Sequence, residues 1–152
     1  MGRAALLGAG SKLMNAPLYT TEILRLAASL REPRELEQES GRAEARSPTC
    51  GSRVTTSVEL DGQGCIVALS QRVHACAFGQ ASSALLEASA IGCSRVEVDA
   101  ALAELSRWLG GQGELPSWPG MSALGAARSR SSRHGAILLP FRALIAAMEA
   151  SG

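Results

Sequence analysis

The sequence predicts an α+β domain: a small antiparallel sheet built on one hairpin, with helices packed on one of its faces. Three observations carry that prediction. From Val54, apolar and polar residues alternate, with Val54, Thr56, Val58 and Leu60 on one side and Thr55, Ser57 and Glu59 on the other, as in a half-buried strand. Asp61-Gly62-Gln63-Gly64 then supplies a turn whose glycines accept positive φ. After Cys76 the apolar period becomes 3.6 and stays helical to the end of the chain.

Pro17 to Leu30 reads as a first helix, with Leu18, Ile23, Leu24, Leu26, Ala27 and Leu30 on a broad stripe and Asn15 as its cap. Pro33 ends it. Arg31 to Arg46 is charged and nearly free of large apolar residues, and reads as a solvated linker, mobile or draped on the surface. The first strand opens at Val54 and the return strand runs from Cys65 to Val73, so the hairpin needs a third strand or a helix over its apolar face. Gln80 to Ile91 is a helix rich in Ala and Leu that stops at Gly92. Ser94 and Glu97 have capping-box spacing and open a helix that runs through Leu109. Its stripe is Val98, Leu102, Leu105 and Leu109, with Trp108 beside it. Pro116 and Pro119 mark a loop, Met121 to Arg128 a short helix, and Leu139 to Ala150 a final helix with Pro140 in its first turn.

The 152 residues suit one domain. Residues 1 to 13 read as an N-terminal extension or cloning remnant, and residues 14 to 152 as the domain. Fifteen basic against 14 acidic residues leave a net charge of +1, which argues against a broad nucleic-acid or membrane footprint. Aromatic residues make up 3%, too few for a base-stacking platform. Lys12 is the sole lysine, which excludes a P-loop. No apolar run reaches the length of a membrane span and no convincing secretory signal opens the chain. The expected compartment is cytoplasmic, where four cysteines are thiols or metal ligands rather than disulfides.

Three chemically capable residues fall at junctions between elements. Cys50 lies in Ser47-Pro48-Thr49-Cys50-Gly51-Ser52, an exposed loop before the first strand. Cys76 lies where the second strand ends and a helix begins, a place that favours a thiolate. His134 precedes the last helix. Their separations are too long for a local finger motif, so a metal or thiol site and scattered structural residues both remain open. Cys65 reads as a core residue inside a strand, and Cys93 as structural. His74 is either a supporting group or a solvent-facing strand residue.

Four motifs in order resemble the iron–sulfur cluster scaffold family of IscU, SufU and the NifU N-terminal domain. Pro48-Thr49-Cys50-Gly51-Ser52 is similar to that family's Pro-x-Cys-Gly-Asp. Cys76 to Ala84 resembles its second motif, a Cys followed by a Ser-rich helix start. Leu18-Tyr19 with Ile23 resembles its N-terminal helix, and Arg133-His134-Gly135 falls at the third ligand motif. The segment Leu115 to Ala127 is similar to the SufU branch. The resemblance implies an IscU/SufU/NifU-N-like fold and Cys50, Cys76 and His134 as ligands, with Ser52 or His74 as further ligand or supporting group. It implies zinc or a labile iron–sulfur cluster as the bound species, or none. It also implies a cysteine desulfurase and cluster acceptors as partners, and no enzymatic activity. Ser52 stands where the family has Asp, and Gly135 where it has its third Cys. A [2Fe–2S] cluster usually takes four protein ligands, so any cluster here should be weakly held. Two other readings stay open: a metal-free partner-binding module and, from the residues alone, an enzyme with Cys50 or Cys76 as nucleophile and a His as base.

Overall fold

The hairpin lies at the centre of the structure, a computed structural model that describes residues 19–151. In chain order the elements are helix α1 (Thr21–Ala28), strands β1 (Gly41–Arg46), β2 (Arg53–Leu60) and β3 (Ile66–His74), and helices α2 (Ala77–Ser89) and α3 (Arg95–Leu109). Two 3-10 segments (Met121–Ser129 and Ser131–Arg133) and helix α4 (His134–Glu149) follow. The sheet is antiparallel throughout, in the order β1-β2-β3. The α+β architecture with helices on one face is therefore as expected. None of the described helices is long and apolar enough to cross a membrane.

The segment read as a linker is the largest correction, because it contains β1. The strand was hidden by its small inward residues. Gly41 pairs with Val58, Ala43 with Thr56 and Ala45 with Val54, all on the face that meets α4. A side chain at Gly41 would collide with the Ala147 carbonyl oxygen and lie 2.9 Å from the Ser151 nitrogen. Close helix approach thus selects Gly and Ala, which carry little hydrophobic signal, while Arg42, Glu44 and Arg46 fill the outer positions. Residues 31–38 do not float either. The backbone N–H groups of Arg31, Arg34 and Gln38 donate to Glu87 (2.8 Å), the Ser70 hydroxyl (2.8 Å) and Glu59 (3.0 Å). This strap covers part of the outer face, which is why Ser57 and Ser70 are buried there.

Several boundaries also move. Thr20, not Asn15, caps α1, accepting from the Ile23 N–H at 3.1 Å; Asn15, Pro17, Leu18 and the extension at 1–13 lie outside the described residues. Cys65 is half-buried in the turn before β3, not a core strand residue. Asp61 holds that turn by accepting from the Gln63 and Cys65 N–H groups at 2.9 Å each. α2 begins at Ala77, one residue after Cys76, which stands at its N-cap. The capping box of Ser94 and Glu97 is formed as expected, and the short helix expected from Met121 to Arg128 is a 3-10 segment, Met121–Ser129.

Helix α4 starts at His134, five residues before the expected Leu139, so Pro140 is an interior residue. A proline there removes one helical hydrogen bond. The helix nonetheless continues through it, packed against α2, whose Ser82 hydroxyl donates to the Ile137 carbonyl at 2.6 Å. Ala136 to Leu144 is almost entirely buried. Phe78 and Phe141 are fully buried, and Trp118 meets Phe141 edge-on at 5.3 Å while its indole N–H donates to the Leu85 carbonyl. α4 contacts β1, β2, α2 and α3, and its first turn is thereby fixed against the end of the sheet.

Candidate functional site

Arg53 pairs with Arg46 on one side and His74 on the other. The loop of residues 47–52 and the junction Ala75-Cys76 consequently leave the sheet at the same end. The loop is closed by the Ser47 N–H donating to the Ser52 carbonyl (2.9 Å) and the Gly51 N–H donating to the Ser47 carbonyl (3.1 Å). Gly51 has φ +74°, a conformation that glycine adopts freely. The result is an exposed Cys50 at the tip, flanked by two buried serines.

The Cys50 sulfur lies 3.2 Å from the Ser47 hydroxyl and 3.1 Å from the Ser52 hydroxyl. When the thiol ionises, both hydroxyls can turn to donate to the thiolate. That contact, with Ser47 first and Ser52 second, holds the Cys50 pKa below the ordinary thiol value. At position 52 the side chain is thus a neutral hydroxyl that favours the charged form of the sulfur. Ser52→Ala is expected to move the midpoint of Cys50 alkylation to higher pH, because the wild-type hydroxyl favours the charged form. A pH series of iodoacetamide labelling read by mass spectrometry checks this, and an unchanged midpoint would contradict it.

Cys76 is half-buried and packs against the core, with the Gln80 N–H donating to its carbonyl at 3.0 Å. The first turn of α2 meets the first turn of α4 closely: a Cβ on Gly79 would sit 3.2 Å from the Ala136 carbonyl oxygen and 3.3 Å from its Cβ. His134 opens α4, and its Nε2 lies 2.8 Å from the Ala127 carbonyl oxygen. A carbonyl only accepts, so Nε2 carries a proton, and in the neutral ring the lone pair is on Nδ1. Metal-ligating histidines are oriented by this kind of backbone contact. A Cβ on Gly135 would lie 3.1 Å from the Ser47 hydroxyl oxygen and 4.0 Å from that of Thr49, which points the position at the Cys50 loop.

The three junctions that carry Cys50, Cys76 and His134 therefore meet at one end of the molecule. Their donor atoms are not gathered into a ready cage: among the described residues no group of three His, Cys, Asp or Glu is arranged to hold a metal ion. His74 is exposed on the outer face, across from Arg53. Cys65 and Cys93 lie at the other end of the sheet, where the Ile66 N–H donates to the Cys93 carbonyl at 3.0 Å. Burial, then the nearby Glu97 and Cys65 charges, push the Cys93 thiol up, the opposite of Cys50. Sequence reasoning missed Ser47, whose hydroxyl is the first cause of the Cys50 shift. Its position three residues before the thiol in a closed loop was the available signal.

No protein-family model matches the sequence, and no curated protein matches it significantly. Solved structures do. The chain is similar to an N-terminal, nitrogen-fixing NifU-like protein from Brucella abortus, at 29% identity over 90% of this chain and 96% of that one, with a TM-score of 0.83. It shares its fold with a protein described as an iron–sulfur cluster assembly scaffold for the SUF system from Fervidobacterium islandicum AW-1. That match has 22% identity over 91% and 99% of the two chains and a TM-score of 0.75.

Proposed function

We propose, from the premise that this chain is a divergent member of the iron–sulfur cluster assembly scaffold family of IscU, SufU and NifU N-terminal-domain type, that it works as a scaffold or sulfur acceptor. The observation that carries the reading is the exposed Cys50 thiol, held toward the thiolate by Ser47 and Ser52 at the end of the fold where the α2 and α4 starts converge. A thiolate is the competent form for both thiol exchange and metal ligation.

In the sulfur-acceptor step, the Cys50 thiolate attacks the terminal sulfur of a persulfide on a partner cysteine desulfurase. The donor S–S bond breaks, the donor thiolate leaves, and a new S–S bond makes Cys50 the persulfide. The exchange is balanced and needs no external oxidant. Cys50 and Cys76 offer soft thiolates and His134 its free Nδ1, a set suited to zinc or iron. Ser52 touches Cys50, and His74 is the remaining nearby imidazole in sequence. Two thiolates and one imidazole fall short of four cluster ligands, so a cluster would be held as cargo and passed to an acceptor protein. This reading makes the chain a cytoplasmic assembly factor rather than an enzyme.

The test combines persulfide transfer with metal analysis. Incubation with a cysteine desulfurase and cysteine should add one sulfur to Cys50 by peptide mass spectrometry, and Cys50→Ser should abolish it. Zinc or iron content should not exceed about one ion per chain, since one donor set closes one site. It should fall in Cys50→Ser, Cys76→Ser and His134→Ala and stay unchanged in Cys65→Ser and Cys93→Ser. Absence of both sulfur transfer and metal would sink the scaffold reading in favour of a metal-free partner-binding module.

A further inference from the structure

The outer face of the sheet, away from Cys50, carries a second arrangement that the scaffold reading does not use. Cross-strand register sets two adjacent rows there. Arg42 stands opposite Ser57, which stands opposite Ser70; Glu44 stands opposite Thr55, which stands opposite Arg72. The strap closes over these rows, with the Arg34 N–H fixed to the Ser70 hydroxyl at 2.8 Å. Pro33, Arg34, Glu35, Arg42, Arg72 and the three hydroxyl side chains enclose a cleft of about 180 Å³.

The donors in this cleft are in surplus. Among the described residues, the Arg34 and Arg72 guanidiniums have no acidic partner, and Ser57, a largely buried residue, places its hydroxyl on the cleft lining. The Ser70 hydroxyl accepts from Arg34 and keeps its own proton to donate. The nearby acids are largely occupied. Glu44 pairs with Arg46 and accepts from Thr55 at 3.2 Å, and Glu39 pairs with Arg42 at 3.0 Å. Glu35 is the remaining carboxylate on the lining, against three arginines.

We propose that this cleft binds a phosphate-class oxyanion, seated on the Ser57 and Ser70 hydroxyls and clamped by the guanidiniums of Arg34 and Arg72. Guanidinium forks match the oxygens of phosphate in pairs. The volume suits a phosphate or diphosphate group rather than a folded partner. The strap backbone at Arg34 is pinned before any ligand arrives, so binding orders side chains but not the loop. The ligand is either a free anion or the phosphate end of a larger molecule such as a nucleotide.

Isothermal titration calorimetry of the full chain at low ionic strength distinguishes these outcomes, with inorganic phosphate, pyrophosphate and a nucleoside diphosphate as separate titrants. Saturable one-site binding of at least one of them is expected. Charge-assisted bonds of this type make a weakening of about tenfold or more reasonable for Arg72→Gln and, separately, for Arg34→Gln. Arg25→Gln, on exposed α1, should leave binding unchanged. Tighter binding of the nucleotide than of pyrophosphate assigns the site to a phosphate-bearing molecule, and equal binding assigns it to the free anion. Unsaturable heats with all three titrants overturn the proposal. So does an equal loss in Arg25→Gln, or saturable binding of hexaglutamate with none of the phosphates. Circular dichroism verifies that the variants stay folded.

Discussion

Gly135→Cys is expected to increase retention of zinc, or of a reconstituted iron–sulfur cluster, by at least about a hundredfold. Loss of a group that merely supports a ligand typically costs 10–100-fold in metal affinity, so adding a direct thiolate should reach or exceed that range. The position is directed correctly. Its Cβ would stand 3.1 Å from the Ser47 hydroxyl, itself 3.2 Å from the Cys50 sulfur. The backbone places no conformational obstacle in the way, since Gly135 lies in α4 and is absent from the positive-φ glycines. Only a shift of Ser47 by a few tenths of an ångström is required. With Cys50, Cys76 and His134, the ligands proposed above, the new thiolate would complete four donors. Anaerobic reconstitution with iron and sulfide, then desalting and absorbance, compares the variant with wild type, and zinc competition with a chromophoric chelator gives the affinity. Equal, negligible retention by two folded proteins would show that this end of the molecule no longer has cluster-binding geometry.

Gly41→Ala should destabilise the fold by about 3 kcal/mol, at the upper end of ordinary overpacking. The added methyl meets main-chain atoms, the Ala147 carbonyl and the Ser151 N–H, which cannot rotate away as a side chain would. Either β1 leaves the sheet at that end or α4 is displaced from it. For a chain of this length the loss corresponds to a fall in Tm of about 6–12 °C. A thermal melt by circular dichroism reads it directly. A fall below about 2 °C would mean that β1 and α4 yield easily, and that the absence of large residues from β1 has another cause.

Gly41 also explains where the sequence was readable and where it was not. The Ser94 and Glu97 cap, the Asp61 turn and the alternation in β2 are local signals, and each element formed where its pattern lay. β1 has no such pattern, because its inward residues were chosen by proximity to α4 and not by hydrophobicity. The start of α4 was misplaced for a related reason: Pro140 normally marks a first turn, but here the helix around it is buried against α2 and the sheet. Both are tertiary effects. At the candidate site, the exposure of Cys50 and the helix-start position of Cys76 followed from flanking Pro, Gly and Ser. The Ser47 contact, the Nε2 hydrogen bond of His134 and the aim of Gly135 toward Ser47 depend on three chain segments meeting, which spacing does not encode. Cys65 was misassigned because one apolar residue before a strand reads the same inside it or in the preceding turn.

The contact between Gly41 and Ala147 joins positions about a hundred residues apart, so the entropy of closing that loop is large and is recovered late. The β2–β3 hairpin and the Cys50 loop need only neighbouring residues, and are expected early in folding. α4 docks afterwards and brings His134 and Gly135 to the loop. On that order of events a partly folded chain is expected to present Cys50 between Ser47 and Ser52 while the sheet behind it is still bare. Such a chain is open to premature oxidation or mispairing, and a thiol-reactive probe added during refolding should reach Cys50 with nearly constant efficiency while Cys76 becomes protected as the last helix seats.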